Sequence, residues 1–141
     1  MSVKADMMFI EGGGTLFIKG SNGGYTYDGT TLTKVTDADY PDPTVPGLGY
    51  LNGRFYVMNT NGDIYNSDED APSSWGALNF VNAQFEPDAG VAIARAGEYI
   101  VALGVYTTEL FWDAKNLTNS PLSAVENGVR LTGCADGNTG G

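Results

Sequence analysis

The chain has 141 residues, 42% of them hydrophobic and 17% charged, which is one domain's worth with a buried core and unlike a disordered tail. No uninterrupted apolar stretch approaches the roughly 20 residues that a membrane-crossing helix needs. The formal net charge is −10, and the seven basic residues are scattered, so the basic patch of most nucleic-acid binders is absent and tight direct DNA binding is not expected.

Taken in chain order, short apolar or alternating runs bounded by Gly, Asn, Asp and Pro predict strands and no helix. The first four are Met7–Ile10, Leu16–Lys19, Tyr25–Tyr27 and Leu32–Val35. The link from Asp37 to Pro46 holds three prolines and cannot be a central strand, so it reads as a connector. Four more runs follow at Leu48–Leu51, Arg54–Met58, Asp63–Asn66 and Leu78–Asn82, with Asp68 to Trp75 read as an insertion. The last complete set is Gly90–Arg95, Tyr99–Leu103, Thr108–Trp112 and Leu122–Val125, after which Val129–Leu131 would open a further set. Asn52-Gly53 suits a two-residue hairpin in which both central residues take positive φ. Asp28-Gly29 and Asn61-Gly62 are similar turn signals.

These groups repeat. Phe17, Tyr56 and Ile100 sit at the centre of matching strands, 39 and then 44 positions apart. A period near 40 built only of strands is the sequence signature of propeller blades. The expected fold is therefore all-β and propeller-like, with about three four-stranded antiparallel blades. The modules fall at about 6–36, 47–83 and 89–126 of a single domain over 1–141, and 127–141 begins a further module and a polar tail. Three blades do not close a ring of the usual four to eight. The uncovered sheet faces predict a homo-oligomer, in which two three-module chains could close a six-blade ring.

Catalytic chemistry has little to work with. There is no histidine, which removes His-activated nucleophiles and His-bound zinc. Cys134 stands alone, without the electropositive partner that thiolate character needs, and gives no disulfide framework. Carboxylates remain, in the connector (Asp37, Asp39, Asp42) and in the insertion (Asp68, Glu69, Asp70). Paired acids could hydrolyse glycosides, but neither cluster lies among apolar residues that would raise one pKa, so solvated acidic loops are the simpler reading. Asn59 to Asp63 resembles a calcium loop without its distal bidentate glutamate, and a tight turn accounts for it. Gly12-Gly13-Gly14 is followed by neither a helix nor Lys-Ser/Thr, so phosphate cradling is unsupported. No catalytic, cofactor-binding or metal-binding residue is assigned. Phe17, Phe55, Tyr65 and Phe111 read as packing between blades, while Trp75 and Trp112 fit either packing or a stacking platform.

An ordered set of segments resembles one phage family. It runs from Gly24-Tyr-Thr-Tyr-Asp-Gly-Thr-Thr-Leu-Thr-Lys-Val-Thr-Asp-Ala-Asp-Tyr-Pro41 through Tyr50-Leu-Asn-Gly-Arg-Phe-Tyr56 and Ser67-Asp68. It continues with Ser74-Trp75-Gly-Ala-Leu-Asn-Phe80, Pro87-Asp88, Glu109-Leu-Phe-Trp112 and Gly133-Cys134. The family is the packaged-DNA stabilisation (head-completion or tail-hub) proteins of short-tailed phages. The resemblance covers roughly Gly23 to Cys134 and corresponds to an internal portion of longer members. It implies a β-propeller in the virion, made in the bacterial host cytoplasm. It also implies a non-enzymatic role in the head-to-tail channel, retaining packaged DNA and docking on portal and tail proteins, with no membrane contact and no cofactor. A carbohydrate-binding propeller is the alternative, with the aromatic rings as stacking platforms. A propeller-like domain mediating protein contacts outside a virion is the third reading.

Overall fold

A computed structural model describes residues 8–20, 23–83 and 89–125. The described chain is all-β, with three four-stranded antiparallel sheets and no helix. The first sheet holds β1 (Met8–Gly12), β2 (Thr15–Gly20), β3 (Gly23–Tyr27) and β4 (Leu32–Lys34). The second holds β5 (Gly49–Leu51), β6 (Arg54–Met58), β7 (Asp63–Asp68) and β8 (Ala71–Asn82). The third holds β9 (Gly90–Ala96), β10 (Tyr99–Gly104), β11 (Thr108–Asp113) and β12 (Leu122–Ala124). Within each sheet the strands lie in sequence order, and the sheets meet mainly through their leading strands, β1 on β5 and both β5 and β6 on β9. Blades radiating from an axis have this arrangement.

Turn chemistry sets the register. Asn52 and Gly53 have φ of 51° and 88°, as the two-residue hairpin between Leu51 and Arg54 demands. Gly13 and Gly14 do the same for β1–β2, with φ of 59° and 84°. The glycine run is thus a hairpin. At Asn59–Asp63 the Asn59 Oδ1 accepts the N–H groups of Asn61 and Asp63, and its Nδ2 donates to Asp63 Oδ2. That amide is committed to closing the turn.

One expectation is corrected. The stretch from Asp68 to Trp75 is not an inserted loop: β8 begins at Ala71 and runs 12 residues to Asn82. Only Glu69 and Asp70 connect it to β7. Pro72 is tolerated because β8 is the outer strand, where a missing N–H leaves no ladder partner unpaired. Register shifts around Ser67 erase the plain alternation that would have marked this strand. Val129–Leu131 lies outside the described residues.

The core is two wedges of side chains on either side of the second sheet. Alternation along β6 sends Phe55 and Val57 toward the first sheet and Tyr56 and Met58 toward the third, and all four are buried. Phe17 and Phe55 stack at 5.0 Å and 28°. Trp75 meets Tyr40 edge-on at 4.9 Å, and its Nε1 donates to the Pro72 carbonyl. Phe111 fills the other wedge with Ile93, Ile100 and Leu122.

The proline-rich connector joins all three sheets. The buried Lys19 Nζ of β2 donates to the Val45 carbonyl at 2.7 Å. The Val45 N–H donates to Met58 of β6, and Ile93 of β9 donates to Pro46. Gly47 sits at φ 109°, and a Cβ there would lie 1.8 Å from the Ile93 carbonyl oxygen. Gly47→Ala should therefore lower stability by about 3 kcal/mol or more, whereas Gly14→Ala, strained at φ 84° but facing open space, should lose only about 1–2 kcal/mol. Urea unfolding midpoints of the two variants check the contrast; equal losses would contradict it.

Candidate functional site

Strand order fixes where surface features gather. In each sheet the first and third connections lie at one end of the blade, and the second connection and the inter-blade links at the other. The first end is cross-braced between blades. Asn52 Nδ2 donates to Asp113 Oδ2 at 2.7 Å, and an Arg95 guanidinium nitrogen (Nη1) donates to the Tyr50 carbonyl. The Tyr50 ring lies over Gly12, where a Cβ would come within 2.3 Å of it.

Two open clefts lie along this end. The first, about 610 Å³, is lined by Asn52, Glu98, Tyr99, Trp112, Asp113, Lys115 and Val125. The second, about 620 Å³, shares Asn52, Asp113 and Lys115 and adds Arg54, Glu69 and Asp70 among others. Tyr99 and Trp112 are direct cross-strand partners, so two exposed rings share a cleft with the Asp113 carboxylate, which already accepts hydrogen bonds from Asn52 and from the Lys115 N–H. Arg54 approaches Glu69 to 3.7 Å; such an exposed pair stabilises little.

The acidic clusters are acceptors that organise loops. Asp37 takes the N–H groups of Trp75 and Asp39, which hold its carboxyl below the usual carboxylate range. Asp68 accepts from Ser74 and Asn79. Asp39, Asp42, Glu69 and Asp70 are exposed. Among the described residues, no group of three or more His, Cys, Asp or Glu side chains could hold a metal ion, and Cys134 lies outside them. Of the rings, Phe17, Phe55, Phe111 and Trp75 are buried. Tyr65 stacks on Phe80 at 5.0 Å. Trp112 is not buried. Sequence reasoning read Asn52 as a turn residue only and gave Tyr50, Asn52, Arg95 and Asp113 no part in bracing blades, because that role comes from meeting residues of another blade about 40 to 60 positions away.

The geometry defines a body of four-stranded antiparallel blades, the β-propeller class. A family model described as Bacteriophage P22 Gp10, beta-propeller, matches residues 1–136, and the chain belongs to this phage stabilisation family. The family is a structural class of phage protein and not an enzyme class. No curated protein matches the chain.

Burial gives the fold an alkaline limit. Desolvation, and next the Asp113 charge, push the Tyr56 phenol far above its ordinary value, with Arg54 opposing. Desolvation and Asp42 do the same to Tyr40. Unfolded tyrosine ionises near 10, so this stability is complete below that pH and is lost as pH rises above it, by up to about 1.4 kcal/mol per pH unit for each ring. Urea midpoints measured from about pH 9 to 12 should fall, and less steeply in Tyr56→Phe; a flat profile would refute the assignment.

Proposed function

We propose that the chain is a non-enzymatic structural part of a phage head-to-tail channel, which helps retain packaged DNA by docking, as a homo-oligomer, on portal and tail proteins. In this reading residues 1–141 form one propeller-like domain. Membership of the phage stabilisation family over 1–136 is the observation that carries it. The physical mechanism is geometric: interlocked blades make a stiff body, and blade edges and loops provide contact area. A net charge of −10 makes that body repel the DNA backbone, so DNA is retained by closing its exit and not by gripping it.

A second reading has its own observation. The paired Tyr99 and Trp112 rings beside Asn52, Glu98 and Asp113 match the mixture of ring face and planar polar groups that binds sugars. A glycan array, probed with and without calcium, separates the two readings, because the structural one expects no signal.

Fluorescence polarisation with a labelled duplex should show no binding at micromolar protein in physiological salt, and submicromolar affinity would contradict the channel-wall role. Particles assembled without the protein should package DNA and then leak it. If such particles keep their DNA, the retention role is wrong.

A further inference from the structure

The outer strand of the second sheet leaves its partner between two rings. From Tyr65 to Ser67, β7 advances two positions, while β8 covers the five from Phe80 back to Trp75. Three extra residues must therefore leave the ladder, and the excursion runs through Gly76, Ala77, Leu78 and Asn79. A bulge on an edge strand re-aims side chains. Here it presents Ala77, which is exposed, and Leu78, which is 68% exposed.

Exposure alone says little, because single exposed leucines are common. What sets this one apart is how firmly its support is fixed. Both feet of the excursion are anchored rings. Trp75 is buried in the first wedge, and its N–H donates to Asp37 Oδ2 at 2.9 Å. Phe80 stacks on Tyr65. The Asp68 carboxylate ties the two sides together, accepting the Ser74 hydroxyl on Oδ2 at 2.6 Å and the Asn79 amide on Oδ1 at 3.0 Å. Gly76 lets that amide cross, since a Cβ there would lie 2.9 Å from the Asn79 Nδ2. An apolar side chain is thus held in place before any contact is made, which lowers the ordering cost of binding.

We propose that Leu78 is a docking knob: with Ala77 it enters an apolar socket, rimmed by Lys or Arg side chains, on another protein of the phage particle. This rests on the virion reading above and adds the place of contact. Charge selects the partner. Asp37 and Asp68 are themselves the braces of the excursion, and Asp39, Glu69 and Asp70, close to them in sequence, are exposed. The collar around the knob is therefore acidic. It attracts a basic rim, and it repels a second copy of a chain that carries −10. The socket is apolar because the side chains of Leu78 and Ala77 offer no hydrogen bond.

Binding of the labelled chain to purified particles assembled without it is the measurement. Leu78→Ser should weaken that binding by about tenfold or more, as loss of a central apolar anchor does, while Leu78→Met should keep most of it. Asp68→Ala leaves Leu78 in place but cuts its tie, and should weaken binding too. Added sodium chloride should weaken it as well, because screening removes the attraction between collar and rim. All three variants alter exposed side chains, so the far-ultraviolet circular dichroism should stay that of the parent. Benzoylphenylalanine in place of Leu78 should cross-link, in assembled particles, to a Lys- or Arg-bearing peptide of a different virion protein. Parent-like binding by Leu78→Ser, tightening by salt, or a cross-link only to the chain itself or to a second copy would overturn the proposal. A chain present in particles that gives no cross-link from position 78 overturns the docking alone. A chain missing from purified particles removes the virion reading with it.

Discussion

The structure depends on three residues, Val45 to Gly47, that hold three sheets at one point. Blades of a propeller share no backbone ladder, so something other than strand pairing must fix them against one another. Here the connector's peptide groups do it, with Lys19 from the first sheet, Met58 from the second and Ile93 from the third as partners. Buried backbone groups must find partners, and these find them across blades. A lysine ammonium is costly to bury, and Lys19 is 1% exposed. Its hydrogen bond to the Val45 carbonyl gives that ammonium a fixed place between blade and connector.

With the sheets pinned there, ring side chains fill the widening gaps outward. The stack of Phe17 on Phe55 and the edge contact of Trp75 with Tyr40 occupy one gap, and Phe111 with its aliphatic neighbours the other. Close-packed interiors resist deformation. The body is therefore suited to transmitting force and holding shape. Its acidic exterior and its clefts are surface matters laid over that frame, and a stiff frame fits membership of a phage stabilisation family.

Much of this was legible in the sequence. Asn52-Gly53 announced its hairpin because only a few residue types accept two successive positive φ values, and the aromatic strand centres at Phe17, Tyr56 and Ile100 announced the repeat. What was illegible was non-local. Pro72 and the serines after it read as loop, since composition cannot say that the strand they form is an outer one. Lys19 read as one of seven scattered basic residues, since nothing in its own strand reveals that a carbonyl 26 residues on accepts from its ammonium. Trp112 could not be told from Trp75 by residue type, yet one is covered by a neighbouring blade and the other is not.

The position of β8 has a consequence for how the molecule behaves in a crowd. As the longest strand and the last of its sheet, it exposes a row of unpaired peptide groups on which foreign chains could template amyloid-like growth. That row is blunted at several points: Pro72 removes a donor, the bulged register near Ser67 twists the flank, and Asp68, Glu69 and Asp70 crowd its start with negative charge. The corresponding strands of the other two sheets are only three residues long. A chain rich in bare aromatic surface thereby keeps its peptide flanks unreceptive, and sticky contact is left to its side chains.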